Sequence, residues 1–289
     1  MCANVTREAK IRSCTGHELF CSYWYPNKEQ LPRAMVFISH GFGEYLVTYD
    51  RLVKRLLDAN FLAFGHDHVG FGRSGGKRAQ IDNVSQYVKD VECHAASVKA
   101  KLKDIPIFIV GHSMGGVIAV GTAIQNPNLF DGVILLSPGL AVASKFNTPA
   151  MRFLGRTLAR IAPGAGLIQL EAEAITADTS IIEKYMKDPL IYKGRLKAKW
   201  LNAFRLGVDE IVKGIPDVKW PFLCIQAGND PWIPALEIEK LMNTAQSPDK
   251  TVVIVPDALH RVFDEPNGVG DEVCRKVVEW IENHAEPES

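Results

Sequence analysis

The 289-residue chain lacks an excess of either charge: 33 Lys and Arg stand against 33 Asp and Glu, a formal net charge of zero. Nucleic-acid binders carry a basic surplus that meets phosphates, so nucleic acid is excluded as a partner. Long apolar runs are missing too. No stretch approaches the length of a membrane span, and the first ten residues hold no apolar core of the kind a secretory leader needs. The six cysteines, Cys2, Cys14, Cys21, Cys93, Cys224 and Cys274, include no Cys-x-x-Cys pair. They are read as scattered reduced thiols of a cytoplasmic protein. Asn4-Val5-Thr6 and Asn83-Val84-Ser85 match the glycosylation pattern, but without a secretory route they are read as chance. There is no internal repeat or low-complexity tract. What the chain does have is a 47% hydrophobic share, enough for a substantial core.

One stretch organises the rest. Residues 107–110 (Ile-Phe-Ile-Val) predict a buried strand, and residues 117–120 (Val-Ile-Ala-Val) predict a helix. Between them runs Gly111-His112-Ser113-Met114-Gly115-Gly116, a serine with a glycine two residues away on each side. A chain that passes from strand to helix this quickly holds its central side chain on a strained turn. A Cβ at Gly111 or Gly115 would strike the neighbouring strand or helix. The Ser113 hydroxyl is thereby lifted above the sheet at a helix N-terminus, where partial positive charge favours an oxyanion. In this the sequence resembles the α/β-hydrolase superfamily, whose nucleophile sits on such an elbow.

The surrounding pattern agrees. Strands are predicted at 5–13 and 17–25, joined at Thr15-Gly16, and then at 34–39, 61–66, 132–136, 221–226 and 251–255. Helices are predicted over 49–60, 84–103, 235–244 and 269–284. Such alternation implies an α/β architecture, a mostly parallel central sheet flanked by helices, with ligands at the carboxyl ends of the strands. From about 140 to 208 the alternation stops. That segment shows helical patterns and no convincing strand, and reads as a helical cap inserted over the carboxyl end of the sheet. The whole, 1–289, is a single α/β-hydrolase domain.

A serine hydroxyl needs a base, and the base needs an orienting acid. In the superfamily the chain order is serine, acid, histidine, each on a loop after a strand. Asp230 follows the strand at 221–226, whereas Asp217 precedes it at the wrong end of the sheet. His260 follows the strand at 251–255, whereas His284 ends the terminal helix. The oxyanion hole needs two backbone N–H donors. Met114, after the nucleophile, supplies one. Phe42 is assigned the other, from His40-Gly41-Phe42-Gly43, which is similar to the His-Gly motif of esterases and lipases. His40 reads as a structural histidine beneath that loop. His66-Asp67-His68 carries ligand-type side chains, but nothing else converges on it, so no metal is expected.

Longer motifs narrow the resemblance. His40-Gly41-Phe42-Gly43-Glu44, the run from His66 through Gly72 with Arg73-Ser74-Gly75 after it, Gly111 through Gly116, and Asp188-Pro189-Leu190 together resemble the monoacylglycerol lipase family. The resemblance implies hydrolysis of a monoacylglycerol to fatty acid and glycerol, without a cofactor. It also implies an alcohol pocket formed by His112 and Tyr185, with Glu44 of the motif among the substrate-binding residues. Two positions depart from the family pattern. Where the family commonly has a histidine after the glutamate and an arginine a few residues later, this chain has Tyr45 and Thr48. A lysophospholipase or small-ester carboxylesterase of the same subfamily stands as an alternative, as does a hydrolase-fold ligand-binding or receptor protein.

The expected cap agrees with a lipid ester on separate grounds. Read as a helix, Met151, Leu154, Leu158 and Ile161 form one apolar stripe, and Arg152, Arg156 and Arg160 lie together on another face. Such a helix either rests peripherally on an anionic membrane or packs its stripe on the body as an ordinary lid.

Overall fold

The protein is described from a computed structural model covering residues 6–26, 30–141 and 148–285. Position 5 of the first expected strand and residues 142–147 of the expected cap lie outside the described residues.

The chain opens with two antiparallel strands, β1 (Thr6–Arg12) and β2 (Glu18–Trp24), joined through Gly16. Strands and helices then alternate through β3 (Ala34–Ser39), α1 (Asp50–Asp58), β4 (Phe61–His66), α2 (Ser85–Lys99), β5 (Ile107–His112), α3 (Met114–Gln125) and β6 (Gly132–Leu136). Between β6 and the next strand of this sheet lie α4 (Pro149–Ile161), β7 (Gly166–Ile168), α5 (Thr179–Lys187), β8 (Leu196–Lys197) and α6 (Ala198–Ile211). Alternation resumes with β9 (Phe222–Ala227), α7 (Ala235–Asn243), β10 (Lys250–Val255) and α8 (Val269–Ala285). The sequence showed no strand between 140 and 208, and here it is corrected. β7 and β8 pair antiparallel with a register shift, and at three and two residues they are too short to display a period.

The eight-stranded sheet has the order β1-β2-β4-β3-β5-β6-β9-β10 and is parallel from β4 onward. Every residue of β3, β4, β5, β6 and β9 is buried, because helices cover both faces and each strand is apolar over most of its length. Alternate side chains divide two cores. Phe37, Ile109 and Leu135 pack with Val91 of α2 and Val117 of α3 on one face. Val36, Ile38 and Val110 pack with Leu52 of α1 and Val277 of α8 on the other. Truncating any of the fully buried aromatics to alanine is worth about 3–5 kcal/mol. That rigidity holds the loops at the carboxyl ends in place. Among the described residues no helix is long and apolar enough to cross a membrane.

Candidate active site

The turn from β5 into α3 is as tight as the glycines imply. Ser113 has φ 53° and ψ −117°, a conformation that costs an L-residue on the order of 1–3 kcal/mol. A Cβ on Gly111 would lie 2.4 Å from the Gly115 carbonyl oxygen, and one on Gly115 would lie 1.9 Å from that of Ser39. Any other residue at these positions would force strand and helix apart. The strain is held by hydrogen bonds: the Ser113 amide donates to Leu136 O at 3.1 Å, and its carbonyl accepts from Gly116 and Gly139. Ser113 is partly open while His112 and Met114 on either side are buried.

Asp230 leaves the carboxyl end of β9 and His260 that of β10, which pair in parallel. His260 Nδ1 donates to Asp230 Oδ2 at 2.6 Å. Asp230 Oδ1 accepts from the amides of Trp232 (2.9 Å) and Ile233 (3.0 Å). Its side chain is fully buried, which alone would raise its pKa. The His260 ring and the two amides outweigh that and hold it below the usual aspartate range. With Nδ1–H committed to the carboxylate, Nε2 of His260 carries the lone pair. Ser113 and His260 line one cavity of about 340 Å³. The rivals lie elsewhere: Asp217 is exposed, and His284 pairs with Asp249 at 2.7 Å.

Phe42 and Met114 line the same cavity, and their amides donate to no group among the described residues. The loop bearing Phe42 is fixed from below. Gly41 N donates to Glu44 Oε2 and to the Tyr49 hydroxyl, each at 3.0 Å. His40 is fully buried, accepting the His68 amide on Nε2 (2.8 Å) and so donating Nδ1–H to Gly41 O (2.8 Å). It is a support of this loop. His66 Nδ1 lies 3.0 Å from His94 Nδ1, and His94 Nε2 is 2.7 Å from the Tyr23 hydroxyl. Among the described residues no set of three His, Cys, Asp or Glu side chains is placed to share a metal ion.

Glu44, His112 and Tyr185 also line the cavity, with one residue that sequence reasoning missed, Arg261. Its Nη1 donates to Glu44 Oε1 at 2.6 Å, Nη2 to Thr48 O at 2.7 Å and Nε to Asp264 Oδ2 at 2.7 Å. The guanidinium therefore sits on the loop that the resemblance expected to carry its own arginine, reached from the far end of the chain. The only local signal was a charged residue directly after the candidate histidine. Tyr45, the other departure, donates its hydroxyl to Asp188 Oδ2 at 2.6 Å, tying this loop to the end of α5. The remaining wall is mostly apolar and includes Ile168, Leu170, Leu196, Trp200, Phe204 and Trp232, largely from the segment between β6 and β9, with Gln169 and Glu171 among them.

On α4 the expected stripe is corrected in part. Leu154 and Ile161 are exposed at 50% and 73%, but so is Phe153 at 74%, while Leu158 is half-buried. The Met151 side chain lies outside the described residues. Arg152, Arg156 and Arg160 are all exposed.

Residues 30–267 match the family model described as "Serine aminopeptidase, S33". The chain is 33% identical over 267 residues to a Monkeypox virus protein named monoglyceride lipase homolog, covering 92% of this chain and 94% of that one. It is 32% identical to the monoglyceride lipase of Mus musculus, covering 92% and 87%. Among solved structures it is similar to the monoacylglycerol lipase of Paleococcus ferrophilus, with a TM-score of 0.78, 27% identity and coverage of 97% and 99%.

Proposed function

The chain belongs to the monoacylglycerol lipase family of the α/β-hydrolases, and on that footing we propose that it hydrolyses monoacylglycerols to free fatty acid and glycerol through an acyl-Ser113 intermediate. The observation that carries this reading is the division of one cavity. Most of its lining is apolar, while Glu44, His112, Arg261 and His260 form a contiguous polar cluster in it beside Ser113. An acyl chain suits the first part and a polyol the second.

In the proposed mechanism the lone pair on His260 Nε2 takes the Ser113 proton as the serine oxygen attacks the ester carbonyl. Asp230 stabilises the imidazolium that forms. The oxyanion is bound by the amides of Phe42 and Met114, which need no reorganisation to receive it. His260 then protonates the departing glycerol, and the acyl-enzyme is hydrolysed by a water that His260 activates. Residues 148–208 act as the cap that shelters the acyl chain. The exposed Phe153, Leu154 and Ile161, with Arg152, Arg156 and Arg160 beside them, bring α4 to an anionic membrane surface where the substrate resides.

The test is product analysis with 1-monooleoylglycerol alongside fluorophosphonate labelling. Oleate and glycerol should appear in equal amounts, and labelling should be lost in Ser113→Ala. A folded, labelled protein that releases no oleate would overturn the substrate. Labelling that persists in Ser113→Ala would overturn the nucleophile.

A further inference from the structure

The cap is fastened to the loop that carries His260. Two successive cap carbonyls accept two successive amides of that loop: Ala174 O from His260 N at 3.3 Å, and Ile175 O from Arg261 N at 2.7 Å. The Thr176 hydroxyl donates to Asp264 O at 3.0 Å and accepts the amide of Asp178 at 3.1 Å. Glu265 closes the contact from the loop side. Its Oε1 accepts the amide of Leu259, directly before His260, at 2.9 Å, and its Oε2 accepts that of Ala177 at 3.3 Å. Thr176 is fully buried, and Asp264 and Glu265 nearly so, so a partner lost here is not readily replaced by water. From this clamp the cap leads both ways to the cavity. Leu170 and Glu171 line it just before, Ile175 lines it within the clamp, and Tyr185 lines it from α5. That helix is capped by Asp178, whose Oδ1 accepts Ser180 N at 2.9 Å.

One residue thus meets both parts of the site. Ile175 lines the mostly apolar cavity, while its carbonyl holds the residue after the base. The His260 ring is fixed to Asp230 through Nδ1, but its backbone is fixed by the cap. The segment between β7 and α5 is irregular apart from one turn, Ala172–Ala174. Its place is therefore set by its contacts: the clamp on one side and whatever fills the cavity on the other. We propose that Thr176 is a positioning residue: by locking cap residues 174–177 to the His260 loop, it lets packing of the acyl chain on the cap set the place of the base. Binding energy gathered along a remote chain is then spent on orienting the reacting groups, where a misplacement of about 1 Å costs about 10²-fold. A long acyl chain accordingly speeds the bond-forming step as well as tightening binding. This rests on the acyl-Ser113 reading above and goes beyond it in naming what the long chain does.

Fluorophosphonates separate the two effects. The serine oxygen forms the bond to phosphorus, fluoride leaves, and His260 takes the hydroxyl proton. Inactivation by an ethyl-chain and a dodecyl-chain fluorophosphonate, otherwise identical, gives for each a dissociation constant KI and a rate constant of the bound complex, kinact. In the wild type kinact should be about tenfold or more greater for the dodecyl probe. Thr176→Val keeps the shape but not the hydroxyl. It should bring the two kinact values within about threefold of each other, while the dodecyl probe keeps its lower KI. Thr176→Ser restores the hydroxyl and should restore the wild-type ratio. Should Thr176→Val not fold, Glu265→Gln decides: an amide side chain has one accepting end for two amides, and the ratio should fall in the same way. Equal kinact for both probes in the wild type, with chain length read in KI alone, overturns the proposal. So does a variant that slows both probes alike and leaves the ratio unchanged, for the clamp is then structural only. A wild type that neither probe labels, or labelling that persists in Ser113→Ala, overturns the acyl-Ser113 reading itself.

Discussion

Acid should destabilise this fold well above the range in which carboxylates titrate, and His94 gives the size of the effect. It lies on α2 with its ring buried between His66 and the Tyr23 hydroxyl. Burial lowers its pKa from 6.5 to about 4. Between those values the unfolded chain binds a proton that the folded chain refuses, so stability falls as pH falls, by up to about 1.4 kcal/mol per pH unit. From pH 7.5 to pH 5 the loss due to His94 is about 2 kcal/mol, and it goes on growing until the pH is below about 4. His40, His66 and His68 are displaced in the same direction by burial and add to it. Asp67 and Asp90, raised by burial, work the other way. The comparison that isolates His94 is therefore the wild type against His94→Gln, each unfolded in urea at pH 7.5 and pH 5. The wild type should lose about 2 kcal/mol more than the variant over that interval. Equal losses in the two proteins would show that His94 titrates alike folded and unfolded, and the argument from its burial would fail.

Further outcomes follow from the site and the cap. Ser113→Ala should leave the thermal transition nearly unchanged and reduce ester turnover by about 10⁶-fold, read by single-turnover release of oleate. Asp230→Asn should cost about 10⁴-fold, because the amide neither fixes the His260 tautomer nor stabilises the imidazolium; the same loss in Asp257→Asn with Asp230→Asn unaffected would move the acid. Gly115→Ala, whose Cβ would meet Ser39 O at 1.9 Å, should destabilise by more than the roughly 1 kcal/mol usual for a point change, seen as a drop in Tm. Replacing Arg152, Arg156 and Arg160 together by Gln should weaken co-sedimentation with anionic liposomes by about two orders of magnitude at low salt, at about 1 kcal/mol per arginine. Equal binding by variant and wild type would return α4 to the role of an ordinary lid.

What could be read from the chain was whatever a strand exit dictates. Asp230 and His260 each follow an apolar run by a few residues, and chain order alone pointed to both; they meet at 2.6 Å. The Glu44–Arg261 pair spans 217 positions and leaves no local trace, because an ion pair between distant loops imposes no period on either. β7 and β8 were invisible for a related reason, since two or three residues cannot display alternation. On α4, spacing told which apolar residues share a face but not which face would find a neighbour. Leu158 is half-buried, whereas Phe153, outside the expected stripe, stands in the open.

Several features that violate local rules gather at one place, and the sheet explains how they are tolerated. Ser113 occupies a strained turn, Glu44, Arg261 and Asp264 are buried charges, and His112 keeps a nitrogen with no partner among the described residues. Each costs stability, and all stand at the carboxyl ends of β3, β5 and β10 or on the loops that follow. There the parallel strands converge several loops on one point while their fully buried interiors supply the compensating energy. A helix dipole at α3 and the open amides of Phe42 and Met114 add fixed positive ends in the same corner. Charge developing on a carbonyl oxygen there meets dipoles already oriented.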